Sequence, residues 1–366
     1  MFSSILVTFL ILLAIWFAVA RYLAGADLSK FDAPDKAAFA RRQSFSTGDS
    51  LNEEHRQILK LLAGLSAQMK QLPLRQHLQQ LRKFMDHMSD AHEFTTQFVP
   101  ADVGGVKAEW VFAPGADSRR RTLYIHGGAW AMGSPRSHRV ITSKLAELTA
   151  GAVLAIDYRL MPEHPRRAGI EDCRTAYRWI LDNGPEGPQK IAALLVSGDS
   201  AGGNLALSSI AWARDQGLRP ADAVVVLSPA TDGTMSGKTV KSNLATDAML
   251  GPMFAKLTRI PRSLLLWLSW WWNRARPSHP DISPIHGDLA NLPPILIHAS
   301  EDEMLLDDAQ RYMNKAIAAG SSVKLQTWRH VVHVWQMFDP QLTEARQAYE
   351  EIHKFLQATL PPAQSE

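Results

Sequence analysis

Hydrophobic and polar positions divide the 366-residue chain into three textures. Residues 2–20, FSSILVTFLILLAIWFAVA, carry no charge and only Ser3, Ser4 and Thr8 as polar side chains. As a helix this stretch would reach about 28 Å, close to the ~30 Å hydrocarbon core of a bilayer. Residues 21–50 are polar, with Gly, Pro and Ser, and read as a linker with at most one short helix. In 51–90, Ile58, Leu62, Leu65, Met69 and Leu72 step by four and three, and so do Leu74, Leu78, Leu81, Met85 and Met88. Each set makes one apolar helix face, and Pro73 separates them, which predicts a helical hairpin. Each run covers about two heptads, short of the three to four that argue for a coiled coil.

The third texture begins near residue 95. AEWVFAP and RTLYIHG read as strands. After them short apolar runs alternate with helix-length segments: GAVLAIDY then 168–183, AALLVSG then 203–216, AVVVLSP, PPILIHA then 307–319, and SVKLQTW then 342–358. Continuous apolar strands separated by helices predict a mostly parallel sheet covered on both faces. The fold class is therefore α/β, doubly wound, with its chemistry in the loops at the carboxyl ends of the strands. The stretch LLLWLSWWWN, 264–273, is apolar nearly all round. It predicts a helix that is either buried or faces lipid, and it is about half the ~20 residues that span a bilayer.

Composition adds little. The chain is 46% hydrophobic and 20% charged, as globular proteins are. The net charge is +3 and the longest basic run is Arg119–Arg121, read as a solvated loop between strands, so there is no footprint for nucleic acid. A single cysteine, Cys173, excludes an intrachain disulfide.

The loop after AALLVS carries the chemistry. Gly198-Asp199-Ser200-Ala201-Gly202 matches G-x-S-x-G, with a buried strand before it and a helix after it. Such a turn exposes the serine hydroxyl, and glycines flank it because a side chain there would collide with backbone. A serine nucleophile needs N–H donors for the oxyanion, an acid and a base. YIHGGAW, 124–130, follows an earlier strand, and Gly127 and Gly128 let the backbone approach that oxygen, with Ala201 as a further donor. His126 is expected to hold this loop by hydrogen bonding. Asn204 reads as an ordinary first-turn helix residue. In α/β-hydrolases the acid and then the histidine follow the serine in chain order. The two late strand-end loops, SEDEMLLDD and RHVVHVW, offer acids and the candidates His330 and His333. His-x-x-His lacks a convincing third ligand, so no metal is expected. His353 falls on the surface of the C-terminal helix.

Taken in order, YIHGGAWAMGSPRSHR, DYRLMPEHPRRAGIED, SGDSAGGNLAL, LSPATD, ISPIHGDLANLPPILIHASEDEMLLDD and TWRHVVHVWQMF resemble the hormone-sensitive-lipase-like family of α/β-hydrolase esterases, in its bacterial branch. The likeness spans roughly 120–358. It implies the α/β-hydrolase fold, N-terminal cap helices, and Ser200 as nucleophile with His333 as base. Counting from Leu292-Pro293-Pro294 puts the family's acid at Glu303, with Asp302 as the alternative. Ala129 stands where the family has a third glycine, and Met161 where it has alanine; Ala129 keeps its N–H. Trp130 is expected to line the substrate pocket.

The resulting expectation is a serine carboxylesterase acting on short to medium acyl esters, with no cofactor. The alternatives are a catalytically silent binding module on this scaffold, or a lactone or amide hydrolase using the same triad. The division expected is 1–22 transmembrane anchor, 23–94 linker and helical cap, and 95–360 catalytic domain. The anchor is preferred to a signal peptide because the positive n-region is missing and the apolar stretch exceeds the usual ~7–15 residues. Arg21, Lys30 and Lys36 all follow the span, which places the catalytic domain on the cytoplasmic side. Nothing in the pattern specifies an oligomeric state.

Overall fold

The computed structural model describes residues 2–45 and 51–362. Nine strands form one sheet: β1 Arg42–Phe45, β2 Gln97–Val103, β3 Val106–Phe112, β4 Asp117–Ile125, β5 Gly151–Ile156, β6 Ala193–Asp199, β7 Ala223–Leu227, β8 Ile295–Ser300 and β9 Val323–Trp328. Their order across the sheet is β1-β9-β8-β7-β6-β4-β5-β3-β2. All pairings are parallel except β2 with β3 and β3 with β5. Strands β5, β6, β7 and β8 are buried along their whole length, as strands covered on both faces must be. One core packs on each face, the larger around Leu154, Val196, Ile297 and Tyr312, the other around Tyr124, Ile141, Leu195 and Ile352.

The principal helices are α1 Phe2–Ala24, α2 Glu53–Gln71, α3 Leu74–His87, α4 Arg139–Thr149, α5 Arg166–Asp182, α6 Ser200–Asp215, α7 Arg262–Asn273, α8 Leu306–Ala318 and α9 Thr343–Thr359. Helices α2 and α3 form the expected hairpin, parted at Pro73. Asn52 caps α2 by accepting from the His55 N–H at 2.9 Å, while His55 Nδ1 accepts from the Asn52 N–H. This reciprocal cap holds the helix start where it enters the domain.

Residues 21–45 are not the linker their polarity predicts, while 46–50 lie outside the described residues. Leu28 and Ala38 are buried in the larger core. Asp32 accepts from Arg311 Nε at 2.6 Å. Arg42–Phe45 adds β1 in parallel to the edge of β9. The basic run 119–121 is likewise not a solvated loop, because it lies inside β4. Arg121 is 1% exposed and donates to the carbonyls of Ser118, Ile180 and Gln189. Arg120 donates to Thr149 O and Pro361 O. A buried guanidinium persists only where its fork of donors finds such acceptors.

Helix α7 does not pack over the carboxyl ends of the strands as a buried element. Leu266 is its one buried residue, while Trp270, Trp271 and Trp272 are 45%, 59% and 53% exposed. It lies against α1 instead, with Trp16 and Trp267 stacked at 5.1 Å between ring centroids.

Candidate active site

Four loops at the carboxyl ends of β4, β6, β8 and β9 converge. Between β6 and α6 the chain turns at Ser200, whose φ is 52°. Left-handed φ is costly for a residue bearing Cβ, and it holds the side chain up out of the turn. Gly202 is required beside it, because a Cβ there would collide with the carbonyl oxygens of Ile125 and His126. Ser200 is half-buried, so its hydroxyl is reachable.

Ser200 Oγ lies 2.9 Å from His333 Nε2. His333 Nδ1 lies 2.6 Å from Glu303 Oε2. The side chains after β6, β9 and β8 thus form one hydrogen-bonded line. Glu303 is buried, and its other oxygen accepts from the Ser300 N–H at 3.0 Å. Its loop is braced from outside by Asn243 Nδ2, which donates to the Glu301 and Glu303 carbonyls, and by Asp247, which accepts from the Met304 N–H. Burial raises the Glu303 carboxyl, against the pull of the His333 hydrogen bond. Burial lowers His333, but the Glu303 hydrogen bond and charge outweigh it, so the imidazole is raised above the ordinary histidine value.

The other acidic and histidine candidates bond to each other rather than to Ser200 or His333. Asp302 accepts from the His330 N–H at 2.6 Å, closing the loop after β9. His126 is fully buried, stacked on Tyr158 at 4.4 Å, with Nδ1 2.8 Å from the Gly127 carbonyl. Burial, with His138 nearby, lowers it to about 3, so the ring is neutral. His353 pairs with Gln357 on α9, far in the fold from this loop.

The loop after β4 differs from expectation in one donor. The Gly127 N–H is already taken by Asp199 Oδ1 at 3.0 Å. Among the described residues, the Gly128 and Ala129 N–H groups have no such acceptor. Gly128 has φ 110° and Ala129 φ 53°, so the backbone turns sharply there with both N–H groups uncommitted. Ala201, in the first turn of α6, has an N–H without an intrahelical partner. Gly128, Ala129 and Ala201 are therefore the donors this turn leaves open. Trp130 follows with φ 59°, half-buried, with the Arg166 guanidinium 3.5 Å over its ring.

Sequence reasoning passed over what holds these loops. Asp199 is buried and accepts from Tyr124 Oη at 2.5 Å as well as from Gly127 N–H, with His138 Nε2 at 3.3 Å. Burial raises this carboxyl, but His138 holds it below the ordinary aspartate range. A charged residue ending a wholly buried strand was the available signal, since such a charge survives only when bonded. Asn204 is no ordinary helix residue. It donates to the Ala230 and Ile282 carbonyls at 2.6 and 2.9 Å and accepts from Arg166 at 2.9 Å. Their partners lie far along the chain, where no local pattern reaches.

The α/β-hydrolase fold traced by the strand order is one this chain shares with known proteins. The α/β-hydrolase-fold family model matches residues 122–337. An acetyl-hydrolase of Streptomyces hygroscopicus is 39% identical over 255 residues, 69% of this chain and 80% of its own. The chain belongs to the hormone-sensitive-lipase-like family of α/β-hydrolases. A solved esterase of the bacterial hormone-sensitive lipase family superposes with a TM-score of 0.72 at 32% identity, covering 85% of this chain and 99% of that one. The esterase EstE5, in crystals soaked with p-nitrophenyl butyrate, gives 0.70 at 34% identity, covering 84% and 99%. Like its hormone-sensitive-lipase-like relatives, the protein is a carboxylic ester hydrolase.

The α2–α3 hairpin is clamped to the loops around Ser200 and His333. Ile58 and Leu62 of α2 pack with Val331, Val332 and Trp335 around the histidine loop. Arg82 of α3 donates to Ala131 O at 2.7 Å, Met161 O at 3.0 Å and both Glu163 oxygens at 2.8 Å. The hairpin therefore bridges the His333 loop and the loop after β4. Arg82→Ala is expected to lower stability by about 1–3 kcal/mol, because two carbonyls lose a charged donor. It should also raise KM several-fold with kcat little changed, as read from melting curves and steady-state kinetics.

Proposed function

We propose that this hydrolase cleaves esters of short to medium acyl chains through an acyl-enzyme, with Ser200 as nucleophile, His333 as base and acid, and Glu303 as the orienting carboxylate. The hydrogen-bonded line from Ser200 Oγ to Glu303 is the observation that carries this reading. His333 Nε2 takes the Ser200 proton as Oγ attacks the ester carbonyl. The Gly128, Ala129 and Ala201 N–H groups then receive the oxyanion, each in place before charge develops. His333 gives its proton to the leaving alcohol, and water repeats the sequence on the acyl-enzyme. Trp130, held by Arg166, stands beside the oxyanion loop and bounds the acyl side. No step requires a metal or organic cofactor.

The same reading makes α1 a single-pass anchor. Its outward residues are apolar and open, from Ile5 at 61% to Phe17 at 57% exposed, and its first charge is Arg21. The basic residues that follow it favour the cytoplasmic side for the catalytic domain.

Turnover of a p-nitrophenyl ester panel graded by acyl length is the test, with mass spectrometry of the Ser200 peptide during turnover. Ester cleavage with an acyl mass on Ser200 is expected. A folded protein inert on every ester would leave a silent module instead. The raised His333 also sets the pH profile. Only the neutral imidazole accepts the serine proton, so kcat/KM should fall as pH drops through the His333 pKa. That acid limb is expected above the ordinary histidine value, and Glu303→Gln should move it downward.

A further inference from the structure

Helix α7 presents an apolar surface that neither the hydrolase core nor the cap uses. Leu264, Leu268, Trp270, Trp271 and Trp272 are all more than a third exposed. We propose that this surface is a second membrane contact, lying in the interface of an anionic bilayer beside α1. The proposal rests on α1 being a membrane anchor.

Three observations select lipid as the occupant. The first is depth. Trp267 stacks on Trp16, and Trp16 precedes the first charged residue of α1, Arg21, by five residues. At 1.5 Å per residue, that contact lies about 7 Å to the membrane side of Arg21. A bilayer that receives α1 up to Arg21 therefore meets α7 as well. The second is rigidity. Arg276 stacks over Tyr22 at 4.9 Å, Leu23 is 2% exposed, and Gly25 approaches Ser278 so closely that a Cβ would collide with it. The end of α1 is thus seated on the domain beside α7.

The third is charge. Residues 248–280 contain no aspartate or glutamate, while Lys256, Arg259, Arg262, Arg274 and Arg276 give them five positive charges. Arg274 lies 5.8 Å over the exposed Trp271 ring. Tryptophan at the level of the headgroups with arginine beside it is the composition that bilayer interfaces select. A protein partner for such a patch would need to cover it while α1 already holds it against lipid.

The test uses the full chain reconstituted in vesicles of phosphatidylcholine and phosphatidylglycerol. Trp271→Cys is labelled with a nitrobenzoxadiazole maleimide. Cys173 does not compete, because it is fully buried and burial pushes its thiol far up. Arg167→Cys, on an exposed face of α5, is the control. The label at 271 is expected to emit several-fold more strongly than the control, to be quenched by headgroup-proximal nitroxide lipid, and to resist aqueous iodide. Retained turnover of p-nitrophenyl butyrate certifies folding. Iodide quenching at 271 equal to the control would overturn the proposal, and so would shielding from both quenchers, which means a second copy or another protein covers the patch. Release of the chain by alkaline carbonate would overturn the anchor reading and this inference with it. Retention with a water-exposed label overturns this inference alone.

Discussion

Ser200→Ala is expected to lower turnover of p-nitrophenyl butyrate by roughly 10⁴-fold or more, with the melting temperature unchanged or raised. The hydroxyl is the atom 2.9 Å from His333 Nε2, and alanine offers nothing for the imidazole to deprotonate. Stability should not suffer, because the strain at φ 52° belongs to the backbone turn, which Gly202 and the close approach of β4 maintain. The residual rate should come from the oxyanion donors acting on bound ester with water as nucleophile. His333→Ala should match this loss. A folded Ser200→Ala enzyme with undiminished kcat would remove the serine from the mechanism.

Glu303→Gln should be the second largest, about 10³- to 10⁴-fold in kcat, against a few-fold for Asp302→Asn. The carboxylate fixes the tautomer of His333. A carboxylate at 2.6 Å requires a proton on His333 Nδ1, which leaves Nε2 free to accept from Ser200. An amide in that position can donate to Nδ1, which moves the ring proton to Nε2 and points it at the serine. Asp302 has a different task, holding the His330 N–H, and about a third of its side chain is open to solvent. His330→Ala should be correspondingly mild. Steady-state rates of these three single variants check the ranking, and the reverse order for the two acids would exchange their roles.

The legible part of the fold was the part whose burial is symmetrical. Strands β5 to β8 are visible as runs, because two covered faces exclude polar residues from most of their length. Strands β1 and β2 are not, because edge strands alternate with polar residues that look like loop; Gln43 and Ser44 of β1 are exposed. The buried arginines of β4 mislead for the opposite reason. Their charge announces solvent, while the carbonyls that satisfy them lie on other elements. At the site, the elbow is local and readable from five residues. Two adjacent acids at 302 and 303 are not separable by spacing, since the loop geometry alone determines which side chain turns inward. Gly127 shows the same limit: a glycine marks close approach, but Asp199 rather than open space is what approaches. The periodic hairpin is correct in its faces, whereas the all-apolar helix at 264–273 has no face to read until α1 lies against it.

Strand β1 bears on how a soluble form should be made. Trimming everything ahead of the cap would strip Arg42–Phe45 from β9, leaving a row of open amide and carbonyl groups beside the histidine loop. Such an edge templates pairing with another chain, and Trp328 would lose the Phe45 ring stacked on it at 4.5 Å. A cut between Ala24 and Asp27 keeps β1, the buried Leu28 and Ala38, and the Asp32 tie to Arg311. The choice between those two start sites decides whether β9 keeps its partner strand or presents an open edge.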